Sequence, residues 1–414
     1  MADIPKIRFK GFTEPWEQRK LGDICERVTR KNKNNQSDLP LTISSQYGLI
    51  DQRNFFNKVV AAKDMSNYYL LQNGEYAYNK SYSNGYDYGS IKRLNAYEQG
   101  CLSTLYICFS LETLDVDSDY LECFFDTLQW YGDVSMICAE GARNHGLLNV
   151  DTKAFFTDVR INLPISIKEQ RLIAKYLNNL DHLITLHQRK CDDTKELKKY
   201  MLQKMFPKNG EKFPEIRFKG FTEAWEQRKL GEICSRVQGN DGRMELPTLT
   251  ISAANGWMKQ EDRFSGNIAG KEQKNYTLLH KGELSYNHGN SKLAKYGTVF
   301  SLQTYEEALV PRVYHSFKVE IGSADFIEYY FATKMPDREL RKLISSGARM
   351  DGLLNIGYDD FMGIKMMFPS VLEQDKIAEY FRAFDHLITL HQRKCDILKE
   401  LKKYMLQNMF PKKG

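Results

Sequence analysis

Apolar residues recur at steps of three and four along two long stretches of this chain. From Ser166 to Met205 the ladder runs Ile173, Leu177, Leu180, Ile184, His187, Cys191, Thr194, Met201 and Met205. From Ser370 to Met409 it runs Ile377, Phe381, Phe384, Ile388, His391, Cys395, Leu398, Met405 and Met409. Such spacing builds one apolar face on a helix. Pro164 and Pro369 stand before these stretches and Pro207 and Pro411 after them, the usual punctuation of helix ends. Each helix is predicted at about 40 residues, or ~60 Å at 1.5 Å per residue. Elsewhere, short β-rich runs such as LPLTISS, LSTLYICFSL and VRINLPI alternate with loops rich in Gly, Asn, Ser and Tyr. Helical spacing returns near Tyr120–Trp130 and Asp325–Lys342, and PDRELRK from Pro336 reads as a helix start.

The two long helices are near-copies. Asp181–Pro207 and Asp385–Pro411 differ at three of 27 positions, and DHLITLHQRKC is identical in both. A second block is repeated as well: PKIRFKGFTEPWEQRKLGDICERV (Pro5–Val28) and PEIRFKGFTEAWEQRKLGEICSRV (Pro214–Val237) differ at four of 24. Between the blocks the halves diverge but keep a skeleton. LTIS at Leu41–Ser44 answers LTIS at Leu249–Ser252, YYLLQNGEYAYNK answers YTLLHKGELSYNH, and GARNHGLLNV answers GARMDGLLNI. Two long repeats indicate two paralogous domains on a common frame, because a solenoid needs three or more short ones. The expected fold is mixed α/β (α+β), with a variable domain over 1–163, a repeated helix over 164–207, a second variable domain over 208–368 and the second repeated helix over 369–414.

An apolar seam of this length needs a partner, and each helix has one in the other. Connectivity makes the pair antiparallel, with a domain at each end of a ~60 Å rod and a pseudo-twofold relation between the halves. The alternative is an ordinary helical hairpin with no partner beyond itself. His187 and His391 fall in the seam without carboxylate or cysteine neighbours, which favours packing over a metal site.

Composition then limits the chemistry. The chain has 414 residues, 42% hydrophobic and 27% charged, which suits two or three globular domains. No apolar run approaches the ~20 residues that span a bilayer. The start MADIPKIRFKG lacks a signal-peptide core, so a cytoplasmic location without membrane contact is expected. The eight cysteines form no C-x2-C pair and read as packing residues. The net charge of +6 mildly favours an acidic partner. GxxxxGK[ST], GxGxxG, GxSxG, HExxH, the N-P-P or D-P-P tetrapeptide of amino-methyltransferases and a nuclease-like (D/E)-x-K are all missing. The chain reads as a binding protein rather than an enzyme.

Three loop pairs diverge between the fixed blocks. One follows the LTIS runs, as SQYGLIDQR and AANGWMKQEDR. The second is NKSYSNGYDYGSIKR against NHGNSKLAKYGTVF, within a segment Tyr68–Tyr97 that holds eight tyrosines. The third is GARNHG against GARMDG, with Arg143 and Arg349 in matching places. Side chains that hydrogen-bond base edges, cations for phosphates and glycines for close approach suit nucleic acid. Polar loops with tyrosines packed beneath them are the bland alternative.

At this point the chain resembles the specificity (S) subunits of type I restriction–modification systems. The resemblance rests on PWEQRKLGDI and AWEQRKLGEI, and on NLPISIKEQRLIAKYLNNLDHLI and MFPSVLEQDKIAEYFRAFDHLI leading into each repeated helix. The second half has SVLEQ where a second proline is common in that family. The resemblance implies two target-recognition domains, each reading one half of a split double-stranded DNA site, with the paired helices setting the gap. It implies two methyltransferase (M) subunits docked on the helices, carrying S-adenosylmethionine, and restriction (R) subunits using ATP and Mg. This chain would hold no catalytic residue, cofactor or metal. By position, the DNA-facing residues implied are Gln46, Tyr47, Asn79, Lys80, Tyr82, Asn84, Arg143 and Asn144, then Asn255, Trp257, Asn287, His288, Asn290, Lys292 and Arg349. The competing reading is a non-catalytic scaffold that binds protein partners through two modules on a helical spacer.

Overall fold

The computed structural model describes residues 4–44, 47–56, 61–83, 85–138, 147–208, 210–264, 270–289, 291–344 and 353–411. The chain divides into two compact units. Met1–His187 with Arg393–Gly414 forms one, and Gln188–Gln392 forms the other. Each unit therefore takes one variable domain and a segment of both long helices.

Unit one contains strands β1 (Glu17–Lys20), β2 (Cys25–Arg27), β3 (Leu41–Ser44), β4 (Gly48–Asp51), β5 (Tyr69–Gln72), β6 (Tyr76–Asn79), β7 (Ser90–Arg93), β8 (Gln99–Leu102), β9 (Ile107–Leu111) and β10 (Arg160–Leu163). Its short helices are α1 (Gln52–Phe56), α2 (Ser118–Asp126), α3 (Tyr131–Ile137) and α4 (Thr152–Asp158). The long helix α5 (Ile167–Lys204) passes into unit two. There follow β11 (Glu226–Lys229), β12 (Cys234–Val237), β13 (Leu249–Ser252), β14 (Gly256–Lys259), β15 (Thr277–His280), β16 (Leu284–Asn287), β17 (Thr298–Ser301), β18 (Glu307–Val310), β19 (His315–Val319) and β20 (Lys365–Phe368). The helices of that half are α6 (Gln260–Phe264), α7 (Ala324–Ala332), α8 (Asp337–Leu343), α9 (Tyr358–Met362) and α10 (Val371–Asn408).

The two units share one topology. Unit one has an antiparallel sheet in the order β2-β9-β6-β7 and the ribbons β1-β10, β3-β4 and β5-β8. Unit two repeats it as β12-β19-β16-β17 with β11-β20, β13-β14 and β15-β18. The fold is mixed α+β, as the sequence pattern indicates. Aromatic side chains on the central strands make the cores. Tyr78 stacks on Phe155 at 4.9 Å and meets Trp130 edge-on, and Tyr286 stacks on Phe361 at 4.3 Å. Of the tyrosine-rich segment, Tyr69, Tyr76 and Tyr78 are buried, so part of that composition is core rather than surface. All eight cysteines carry free thiols and seven are buried. Burial, with Glu112 adding to it, pushes the Cys25 thiol up to about 12, so it stays neutral.

The helical spacing near residues 325–342 is found as two helices, and the second begins at Asp337 behind Pro336, where PDRELRK reads as a helix start. In both units the chain breaks at a left-handed residue, Leu128 at φ 59° and Lys334 at φ 63°. The threonine before each break caps the preceding turn: Thr127 Oγ1 donates to Phe124 O at 2.7 Å, and Thr333 Oγ1 to Tyr330 O at 2.5 Å. That hydroxyl then accepts the N–H two residues on, from Gln129 at 3.2 Å and Met335 at 3.1 Å. The competing side-chain bonds end the helix.

Contacts at the helix ends account for the repeated blocks. The IRF arginine grips the glutamate of EQ at the start of each long helix. Arg8 donates to Glu169 at 2.7 and 2.9 Å, and Arg217 to Glu373 at 2.7 Å through both nitrogens. Both glutamates are 1% exposed, and the charge-assisted fork makes their burial tolerable. The neighbouring glutamine ties helix to domain: Gln170 Oε1 accepts from Asp117 N at 2.7 Å, and Gln374 Oε1 from Ser323 N at 3.2 Å. The isoleucine of IRF donates to the last turn of a long helix, Ile7 to Asn408 O and Ile216 to Lys204 O, both at 2.9 Å. The phenylalanine after that helix enters the core. Phe410 meets Trp16 at 6.0 Å in unit one, and Phe206 meets Trp225 at 6.0 Å in unit two.

Within each unit the helix segments pack antiparallel. In unit one, Cys395 Sγ lies 3.9 Å from Ile184 O, and further along Lys402 reaches Asp181. In unit two, Cys191 Sγ lies 3.8 Å from Ile388 O, and further along Lys198 pairs with Asp385. Lys402 also binds Asp126 of α2 at 3.2 Å, and Lys92 of β7 binds the other Asp126 oxygen at 2.6 Å. Burial alone would raise the Asp126 carboxyl, but Lys92 and Lys402 outweigh it and hold it below the ordinary carboxylate range. A depressed carboxylate contributes stability above its unfolded value and loses it as pH falls through the folded one, so this network acts at neutral pH and fails below ~3.9. Asp126→Asn leaves Lys92 short of its counter-charge while Lys402 keeps Asp181, and is expected to cost about 3 kcal/mol. Denaturant unfolding checks this; a change inside the ±0.5 kcal/mol of ordinary surface substitutions would contradict it.

Candidate nucleic-acid interface

The first two divergent loops leave strands that end alike in both halves, on Ser44 and Ser252 and on Asn79 and Asn287. The loops after β3 and β13 begin on a serine whose Oγ accepts backbone N–H groups: Tyr47 on Ser44 at 3.2 Å, Ala254 and Asn255 on Ser252 at 3.3 and 3.4 Å. The loops after β6 and β16 begin on an asparagine whose Oδ1 accepts the N–H two residues on. Asn79 takes Ser81, and Asn287 takes Gly289, both at 3.0 Å. A glycine closes these loops because nothing larger fits. Gly89 and Gly297 have φ +80° and +81°, and a Cβ on either would meet the carbonyl of Asn79 or Asn287 at 2.0 or 2.5 Å.

The second and third loops are stitched together in both units. Leu148 N donates to Lys80 O at 2.8 Å and Leu354 N to His288 O at 2.9 Å, just past the GARNHG and GARMDG segments. In unit two, Asn287 Nδ2 also donates to Ile251 O at 3.2 Å, drawing in the first loop. In unit two, residues of the first loop (Ser252 to Ala254) and of the second (Lys292 and Leu293) line one open cleft of about 1090 Å³ together with Leu353. Arg263 and Arg312 line the same cleft.

The residues implied by position divide into three groups. Tyr47 is 68% and Tyr82 52% exposed, and Asn255 and Lys292 are exposed as well. Lys80 is half-buried, and burial, with Arg27 adding to it, lowers its pKa. A second group is engaged inside the domain. His288 is 7% exposed, with Nδ1 2.8 Å from Leu354 O and Nε2 2.9 Å from Val313 O. Its ring stacks on His315 at 4.9 Å, and His315 Nε2 lies 2.9 Å from Ile356 O. Burial lowers the His315 pKa. Trp257 donates Nε1 to Ser301 O at 3.0 Å, and Asn79 and Asn287 shape their loops. The third group, Gln46, Asn84, Arg143, Asn144, Asn290 and Arg349, lies outside the described residues.

Arg263, Phe264 and Arg312 are cleft residues that residue-by-residue reading did not single out. Aligning the halves from LTIS carries a signal for the first two, because Arg263-Phe264 falls opposite Phe55-Phe56. Among the described residues no group of three or more His, Cys, Asp or Glu side chains is placed to hold a metal ion. No described helix is long and apolar enough to cross a membrane.

Residues 13–195 match the family model of the type I restriction modification DNA specificity domain. The blocks that frame this match recur in the second half in the same order, around the same strand topology. Residues 13–195 are a type I restriction modification DNA specificity domain by this match. No curated protein matches it. Among solved structures, the type I restriction–modification S subunit of M. genitalium matches with a TM-score of 0.59 at 13% identity, covering 99% of this chain and 100% of that one. That likeness is one of fold. The HsdS subunit of Thermoanaerobacter tengcongensis matches at a TM-score of 0.44 and 16% identity over 97% of each chain. The role that the matched domain carries is DNA sequence specificity.

Proposed function

We propose that each recognition domain of this specificity subunit reads one half of a bipartite, asymmetric double-stranded DNA target. The paired helices set the gap and dock two M subunits. Domains one and two take residues 1–163 and 208–368, with the repeated helices at 164–207 and 369–414 between and after them. S-adenosylmethionine belongs to the M subunits and ATP with Mg to the R subunits, and this chain itself holds no cofactor.

One observation carries the reading: two loops that differ between the halves come together on one cleft in unit two with Lys292, Arg263 and Arg312 at its lining, while their anchors are the same in both halves. A frame kept constant around variable polar loops suits a reader of two different short sequences. Tyr47, Lys80, Tyr82, Asn255 and Lys292 are assigned to the DNA, along with Gln46, Asn84, Arg143, Asn144, Asn290 and Arg349. Asn79, Asn287, His288 and Trp257 support the reading loops from beneath.

The test is duplex binding by the complex of this chain with its M subunits, followed by anisotropy as salt is raised. Phosphate contacts predict a steep linear fall of log affinity with log salt, about 10³-fold or more between roughly 50 and 200 mM if six or more phosphates are neutralised. Affinity for DNA that is absent, or indifferent to salt, would favour the protein-binding scaffold instead.

A further inference from the structure

Two matched helices carry unlike side chains at one position of the reading face. α1 and α6 both begin on a glutamine whose backbone N–H is fixed to the residue just before the first strand of the preceding ribbon, β3 or β13: Gln52 donates to Pro40 O at 2.8 Å and Gln260 to Thr248 O at 3.0 Å. The anchoring is the same, so positions counted from those glutamines correspond. Phe55 stands where the second half has Arg263, and Phe56 where it has Phe264. Neighbouring charges on this turn pair locally, Arg53 with Asp51 at 2.8 Å and Lys259 with Glu261 at 3.2 Å, in reversed order. At the position before Phe56 and Phe264, the two halves thus present an aromatic ring and a guanidinium.

Both are presented rather than stored. Phe55 and Phe56 are 45% and 42% exposed and meet edge-on at 4.8 Å. Arg263 lines the cleft, with Nη1 donating to Ile251 O at 2.7 Å, the carbonyl that also accepts from Asn287. Its guanidinium carbon sits 5.2 Å from the centre of the Phe264 ring. A guanidinium tethered at one nitrogen and backed by a ring is held in a defined plane. Bidentate donation to guanine O6 and N7 needs that, whereas an exposed aromatic edge suits the thymine methyl group.

We propose that this matched pair is a specificity position: Arg263 reads a guanine in the half-site of the second domain, and Phe55 packs on a thymine methyl in the half-site of the first. The assignment rests on the DNA reading given above. The test is sequencing of methylated motifs made by the complete complex carrying Arg263→Ala, Arg263→Lys or Phe55→Ala. Arg263→Ala should lose about ten-fold or more discrimination for a guanine at one position of one half-site, and leave the other half-site unaltered. Arg263→Lys, which keeps the charge and loses the planar fork, should fail to restore it fully. Phe55→Ala should relax a thymine in the opposite half-site. An unchanged motif would overturn the assignment. So would uniform weakening at all sites that lysine rescues, the mark of a phosphate contact. A wild-type complex that recognises no defined motif would overturn the DNA reading itself, and this assignment with it.

Discussion

Replacing residues 29–159 with the equivalent stretch of another specificity subunit will change one half of the methylated motif and leave the other half intact. The stretch runs between the first repeated block and β10, so the Arg8–Glu169 pair, the Ile7–Asn408 bond and the β1 side of the outer ribbon stay native. It carries all three divergent loops of the first half and none of the second. Unit two keeps its own sheet, core and cleft, because those elements come from Gln188–Gln392. The expected change is complete rather than graded: a new half-site in place of the old. Motif sequencing with the M subunits present checks it, and alteration of both halves would show that the two domains do not read independently.

Phe410→Ala will destabilise the N-terminal unit, although residue 410 stands at the opposite end of the chain. Phe410 is 1% exposed and packs against Trp16, Tyr120 and Phe124 at 6.0, 5.6 and 6.3 Å. Phe206, also 1% exposed, fills the same place in unit two against Trp225, Phe326 and Tyr330. Truncating a fully buried phenylalanine costs about 3–5 kcal/mol through lost transfer energy and the cavity left behind. Hydrogen exchange resolves which amides lose protection. Phe410→Ala should deprotect β2, β6 and β9, and Phe206→Ala should deprotect β12, β16 and β19. The reverse pattern, or protection unchanged in both, would contradict the division into units.

The long helices were legible because their period persists for some ten turns and prolines bracket them: residues 166–205 and 370–409 are expected, and Ile167–Lys204 and Val371–Asn408 are found. The restart of a helix after Pro336 was legible too, but the turn at Lys334 that separates it from α7 was not, since a lysine at positive φ leaves no mark of its own. The function of the IRF and EQ motifs was likewise hidden. Arg8 and Glu169 are 161 residues apart, and only the fold shows that each repeat encodes one side of a buried ion pair. At the reading face, divergence between repeats located the loops, whereas composition could not say which polar side chains point outward. Asn287 and His288 look like base readers in a polar loop, yet both bond to the backbone beneath it. Arg263 looked like one more charge in QEDRF until its tether to Ile251 placed it on the cleft.

Genome-wide mapping of methylated bases in cells with and without this chain, beside its M subunits, bears most directly on two unlike readers held by one duplicated frame. The expected map is a single motif of two different short sequences separated by a fixed run of unspecified bases, lost entirely when the chain is absent. A continuous motif, a palindrome of two identical halves, or a methylation pattern indifferent to the chain would contradict the account.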